Sequence, residues 1–110
     1  MSGTPQHPTR VDLHLRVRVK PGMRDAFLAF LQEATPFYEA PGGIQVRLLQ
    51  DVQDDHRFIE LVLYADEAVY ARDQERVKSD PEMQAWFARW RALLAEPPVV
   101  EVYRLTSFSA

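Results

Sequence analysis

Three residues combine proton or anion chemistry with a place on a strand: His14, Arg16 and Tyr64. Histidine titrates near neutrality and can take the proton of a phenol. The planar guanidinium of arginine suits a phenolate, carboxylate or enolate, and Arg47 offers a second one. Tyr64 can stack on a flat ring or donate its hydroxyl. Phe58 and Glu60 share the alternation of Tyr64, and Trp86 and Trp90 stand at helical spacing. These residues sketch a site with His14, Arg16 and Tyr64 as its catalytic members. Arg47, Phe58, Glu60, Trp86 and Trp90 would bind the substrate. Each also has a plainer role. His14 can hydrogen-bond within an interface. Arg16 can pair with Glu60 if the first and third strands align in parallel. Aromatic stripes at helical spacing more often belong to a core, and Tyr64 can pack and make one hydrogen bond.

Other chemistries are excluded. No cysteine is present, so thiol catalysis, disulfides and zinc thiolate sites drop out. His7, His14 and His56 fall in a tail, a strand and a strand start, without metal-ligand spacing. No P-loop, GxGxxG or GxSxG motif occurs. The expectation is a protein with no metal and no cofactor. At 110 residues it is one domain, with 46% hydrophobic and 26% charged residues. Thirteen basic and sixteen acidic residues are well mixed at a net charge of −3, which gives no footprint for nucleic acid. No apolar run approaches the ~20 residues that span a bilayer, and the N-terminus lacks a signal-peptide core. A cytoplasmic protein without nucleic-acid or membrane partners is expected.

The elements that must position these residues can be read in order. Residues 1–9, with Gly, Ser, Thr and two prolines, form a flexible tail, and residues 10–110 form the domain. "VDLHLRVRVK" (11–20) alternates strictly, with Val11, Leu13, Leu15, Val17 and Val19 on one face. Pro21-Gly22 ends it. A helix follows from about Met23 with Phe27, Phe30, Leu31 and Ala34 on its stripe, ending or bending before Pro36. "GIQVRLLQDV" and "HRFIELVLYA" form a hairpin joined by "QDD". Asp66 caps a helix over "EAVYARDQERVKS". "SDPE" starts a third, whose stripe is Met83, Trp86, Phe87, Trp90, Leu93 and Leu94, and Pro97-Pro98 stops it. "VVEVYRLTSF" closes the chain as a strand whose register stays open. Two crossovers around a hairpin give a ferredoxin-like βαββαβ α+β fold, a four-stranded antiparallel sheet with its helices on one face.

Alternation places Phe58, Glu60, Val62 and Tyr64 with His14, Arg16, Arg18, Arg47 and Leu49 on the helix-free face. Ile59, Leu61 and Leu63 take the other side. So many large apolar groups beside charges suggest a face covered by a second copy of the chain, a homodimer.

The segments "VRVKPGMRDAFLAFL", "PGGIQVRLLQD" and "FIELVLYADEAVYARDQ" resemble antibiotic biosynthesis monooxygenase-type domains of the dimeric α+β barrel superfamily. The resemblance spans about residues 11–108. It implies two sheets facing each other across a dimer and a cavity in each protomer. It also implies oxygenation of electron-rich phenols or anthrones by O₂ without metal or flavin. Tyr64 stands where many members carry Trp, and Arg72, Asp73 and Gln74 stand where a His is common. The first strand has no Asn, which with the missing His speaks against the haem-degrading branch. The expected function is a cofactor-independent monooxygenase acting on an electron-rich aromatic or quinol-type small molecule. Arg16 or Arg47 would hold its anion, Tyr64 orient it and His14 take the proton. The alternatives are a non-catalytic dimer for small-molecule binding or assembly, and an isomerase or lyase on the same fold.

Overall fold

The computed structural model describes residues 9–108. His7 and all but the last residue of the expected tail lie outside them. The element order is β1 (Val11–Arg18), α1 (Arg24–Glu39), β2 (Ile44–Asp51), β3 (Asp54–Tyr64), α2 (Glu67–Ser79), α3 (Pro81–Arg91) and β4 (Val99–Arg104). The four strands form one antiparallel sheet in the order β2-β3-β1-β4, with the three helices packed on one face.

Local chemistry accounts for most boundaries. Gly22 turns the chain out of β1 at a positive φ of 78°. Asp66 accepts from the Val69 amide at 2.8 Å and starts α2. Asp80 accepts from the Glu82 amide at 2.9 Å, and Pro81, which has no N–H to leave unpaired, opens α3. Asp51 folds back on the Gln53 amide at 2.8 Å, which tightens the hairpin and lets β3 begin at Asp54, two residues earlier than expected.

Three expectations need correction. First, α1 does not end before Pro36 but runs through it to Glu39. A proline this close to a helix end removes one ladder bond only. The last turn is held instead by buried Tyr38 and by Arg76 of α2, whose Nη2 donates to the Phe37 carbonyl at 2.9 Å. Second, α3 stops at Arg91, short of Leu93 and Leu94. Those residues continue the sheet edge instead: Lys20 N–H bonds the Leu93 carbonyl at 2.9 Å, and buried Leu94 bridges to Val19.

Third, β1 and β3 pair antiparallel. Glu60 lies opposite Leu15, and Arg16 lies opposite Ile59. Directly paired residues of antiparallel strands share a face. Phe58, Glu60, Val62 and Tyr64 therefore point with Leu13 and Leu15 into the helix layer, and Ile59, Leu61 and Leu63 share the open face with Arg16. Glu60 cannot pair with Arg16. The register of β4 follows from its pairing with β1: Val100 and Val102 face the helices, and Val99, Glu101 and Tyr103 the open side.

The core has two parts. Phe27, Phe30, Phe58, Met83, Trp90 and Val19 belong to the larger, under α1 and α3. Val11, Ile44, Val62, Tyr64 and Val69 form the smaller, under α2.

Candidate active site

Where the two core clusters meet, the sheet and the helices enclose a cavity of about 240 Å³. Leu13, Leu15 and Val62 floor it from the sheet, Phe87 and Met83 wall it from α3, and Val100 and Val102 of β4 stand at its rim. Those valines are half exposed, at 56% and 49%, so the cavity opens toward β4. Its lining is mostly apolar and aromatic, with few polar groups to orient a ligand, as in small-molecule sites generally.

The first of those groups is Glu60, only 3% exposed. β3 alternation forces it inward, between Phe58 and Val62 on the same face. Trp90 of α3 donates its indole Nε1–H to Glu60 Oε1 at 3.1 Å. Oε2 has no hydrogen bond among the described residues. Burial away from water pushes the carboxyl up to about 7, and the Trp90 hydrogen bond opposes that shift in part. A carboxyl poised near neutrality in an apolar pocket is suited to exchanging a proton with a bound ligand.

The second group is Tyr64, 1% exposed at the end of β3. Its hydroxyl donates to Asp73 Oδ2 of α2 at 2.6 Å. Burial, then the hydrogen bond to Asp73, raises the phenol above its ordinary value and keeps it neutral. Asp73 is itself buried, with Arg76 Nε 3.8 Å from its Oδ1. Tyr38 of α1 also lines the cavity, its phenol likewise raised by burial.

The residues singled out from the sequence therefore divide three ways. Glu60, Tyr64 and Trp90 meet at the cavity. Phe58 and Trp86 pack outside its lining. Phe58 stacks on Phe27 at 5.1 Å, and Trp86 lies against Phe30 and Phe37 with Arg89 over its ring at 4.8 Å. His14, Arg16 and Arg47 lie on the opposite face of the sheet. Arg16 Nε pairs with Glu101 Oε1 at 2.7 Å, a contact that holds the Glu101 carboxyl below its ordinary range. His14 packs on Tyr103 at 4.8 Å between ring centroids, and its buried Nδ1 has no hydrogen-bond partner among the described residues. Arg47 is exposed beside Gln45. Asp73 is the site residue that sequence reasoning passed over. Its signal was an acid placed on the inner stripe of α2, one turn after Val69.

A family model describing antibiotic biosynthesis monooxygenases matches residues 11–89. The chain belongs to the antibiotic biosynthesis monooxygenase family. Solved structures agree on the fold. A candidate antibiotic biosynthesis monooxygenase of Bordetella bronchiseptica superimposes with a TM-score of 0.73 at 20% identity, over 89% of this chain and 98% of its own. SnoaB, a cofactor-independent oxygenase from Streptomyces nogalater, gives 0.67 at 18% identity, over 92% and 95%. A Nitrosomonas europaea protein of unknown function gives 0.69 at 27% identity, over 96% and 97%. No curated protein matches the chain. Among the described residues, no helix of this family member is long and apolar enough to cross a membrane.

Proposed function

We propose that the protein is a cofactor-independent monooxygenase of an electron-rich, flat aromatic or quinol-type molecule, working as a homodimer. The observation that carries this reading is buried Glu60, poised near neutral pH at an apolar, aromatic-walled cavity. Membership of a monooxygenase family and the shared fold with SnoaB support it.

The chemistry needs few groups. Glu60 Oε2 takes a proton from the acidic C–H or O–H of the substrate. The anion, richer in electrons, passes one to O₂, and the resulting pair combines to a peroxide. The peroxide forms at a carbon that keeps one hydrogen, and loss of water turns that C–H carbon into a carbonyl: one oxygen atom enters the product and the other leaves as water. Glu60 returns its proton to that water. Trp90 holds the carboxylate by one oxygen, leaving the other for substrate. Tyr64 and Tyr38 sit at the lining as neutral phenols. His14, Arg16 and Arg47 have no part in this scheme within one protomer. The second copy covers the open face, where Leu49 is 51%, Val99 55% and Tyr103 47% exposed beside Ile59, Leu61 and Leu63.

The test is O₂ uptake by purified, metal-stripped protein offered anthrones, naphthalenediols and quinols. Wild type should consume O₂ with at least one of them, and Glu60→Gln should not. Uptake that survives in Glu60→Gln would remove the base. Saturable binding with no uptake by any substrate would favour a ligand-binding dimer.

A further inference from the structure

The cavity has two polar ends. Glu60 and Tyr64 lie on the same face of β3 with Val62 between them. Four residues of extended strand separate their backbones by about 13 Å. Between them the lining is mainly apolar, with Leu13, Leu15, Val62, Val77 and Phe87, while α2 adds Tyr70, 5.3 Å from Tyr64 between ring centroids, and Gln74. Glu60 leans to α3, where Trp90 occupies Oε1. Tyr64 leans to α2, where Asp73 Oδ2 accepts the hydrogen bond of its hydroxyl.

What each end can accept follows from its hydrogen bonds. Glu60, when ionised, only accepts. Tyr64 already donates its hydroxyl hydrogen bond to Asp73, so toward a ligand its oxygen also only accepts. Both ends therefore ask for a donor. The charged groups around the cavity are the carboxylates of Glu60 on β3 and Asp73 on α2, the guanidinium of Arg76 behind Asp73 with its Nε 3.8 Å from Oδ1, and Arg91 on α3, exposed at the margin. Arg76 offsets Asp73, but Glu60 has no ion pair among the described residues, so a ligand carrying its own carboxylate would set a second negative charge against it with no cation at that end. The volume of 240 Å³ falls below the usual range for drug-sized ligands, about 300–1,000 Å³, and suits a two-ring skeleton.

Resting on the oxygenase reading of the same cavity, we propose that Tyr64, backed by Asp73, is a second anchoring subsite. With Glu60 it selects an uncharged two-ring aromatic diol whose hydroxyls lie at opposite ends. One hydroxyl donates to Glu60 Oε2 and the other to Tyr64 Oη. The end at Glu60 is the reacting end, because only there does a group near neutrality receive the proton.

The test is binding by calorimetry at about pH 8, which needs no turnover. The probes are 2,6-dihydroxynaphthalene, 2-naphthol, 6-hydroxy-2-naphthoate and 2,6-dihydroxyanthracene. Wild type should bind the naphthalenediol best and lose about tenfold for 2-naphthol, which lacks one donor. It should lose at least as much for the naphthoate, and Glu60→Gln should restore naphthoate binding while weakening the diol. Tyr64→Phe should bind the diol no better than wild type binds 2-naphthol. The ligand series stands even if that variant fails to fold. Equal affinity for diol and 2-naphthol would overturn the second anchor. Naphthoate binding as tight as the diol would overturn the charge selection, and tighter binding of the anthracenediol the two-ring size. No binding of any probe at millimolar concentration would overturn the whole assignment. Diol binding without O₂ uptake would remove the oxygenase reading and leave the two anchors standing. O₂ uptake with 2-naphthol bound as tightly as the diol would do the reverse.

Discussion

Trp90 Nε1 donates to Glu60 Oε1 across 3.1 Å, joining α3 to β3 over a sequence separation of thirty. Both side chains are buried, at 5% and 3% exposure. A donor with no acceptor function thus meets an acid with almost no water. The indole favours the ionised carboxylate and burial opposes it, with burial the larger effect.

Stability should therefore fall as pH rises. In the unfolded chain Glu60 gives up its proton near 4.5, and in the folded protein near 7. The folded state binds the extra proton between these values. The contribution of protonated Glu60 is whole below 4.5 and is lost as pH rises through 7. Moving an acid from 4.5 to about 7 at 1.36 kcal/mol per pH unit is worth about 3 kcal/mol at most. Glu60→Gln should raise Tm over wild type by several degrees at about pH 8 and by much less at about pH 5. An equal difference at both pH values would show that Glu60 does not titrate in this window.

The same pair gives an optical signal. Indole emission responds to a carboxylate forming at hydrogen-bond distance, so wild-type tryptophan fluorescence should titrate with a midpoint near 7. The transition should vanish in both Glu60→Gln and Trp90→Phe, and persist in Trp86→Phe, because the Trp86 ring meets Phe30 edge-on instead. Loss of the transition in Trp86→Phe alone would assign it elsewhere.

Tyr64→Phe should cost about 1–3 kcal/mol, because it leaves Asp73 Oδ2 buried without its 2.6 Å donor. Asp73→Asn should cost less, since the amide oxygen can still accept from Tyr64. Urea unfolding of the two variants measures both, and a larger cost for Asp73→Asn would contradict the order.

Leu61→Asp should give a monomer with unchanged helical signal by circular dichroism. The side chain lies on the open face, opposite His14 and Arg47 in the two ladders. Wild type should sediment as a dimer at micromolar concentration. A monomeric wild type would leave that face without a second copy to cover it.

Gly43→Ala should destabilise by more than about 1 kcal/mol. Gly43 has φ of +75°, and an added Cβ would sit 3.0 Å from Val69 Cγ2, so both backbone and packing oppose it. Gly42→Ala meets nothing within 4 Å and should cost only the backbone part. Equal Tm losses for the two would mean that Val69 simply moves aside.

β1 was legible because its two faces differ in kind: valines and leucines on one, charges on the other. The caps at Asp66 and Asp80 were legible because capping is local chemistry. β3 was not, because both its faces are apolar. Ile59, Leu61 and Leu63 look more like core than a set that includes Glu60, yet Glu60 is the one inside. Alternation says which residues go together and not which way they point; only the partner register decides that. Three of the eight expected site residues, His14, Arg16 and Arg47, therefore lie across the sheet from the cavity. Glu60 and Tyr64 were singled out, but beside Arg16 and not beside Trp90. Asp73 escaped because the stripe of α2 is thin, with only Val69 and Asp73 buried, and an acid there reads as solvated surface.

The last turn of α1 carries a consequence for the order of folding. Beyond Pro36 the Phe37 carbonyl accepts a long bond of 3.4 Å from the Ala40 amide and a shorter one of 2.9 Å from Arg76, thirty-nine residues further along the chain. The same guanidinium lies over the Phe37 ring at 4.6 Å. That turn is local in position but non-local in what fixes it. It should form late, after α2 has docked, while the turns from Arg24 onward form early. Slow hydrogen exchange along α1 should break off at the proline, and the amides beyond it should open together with α2.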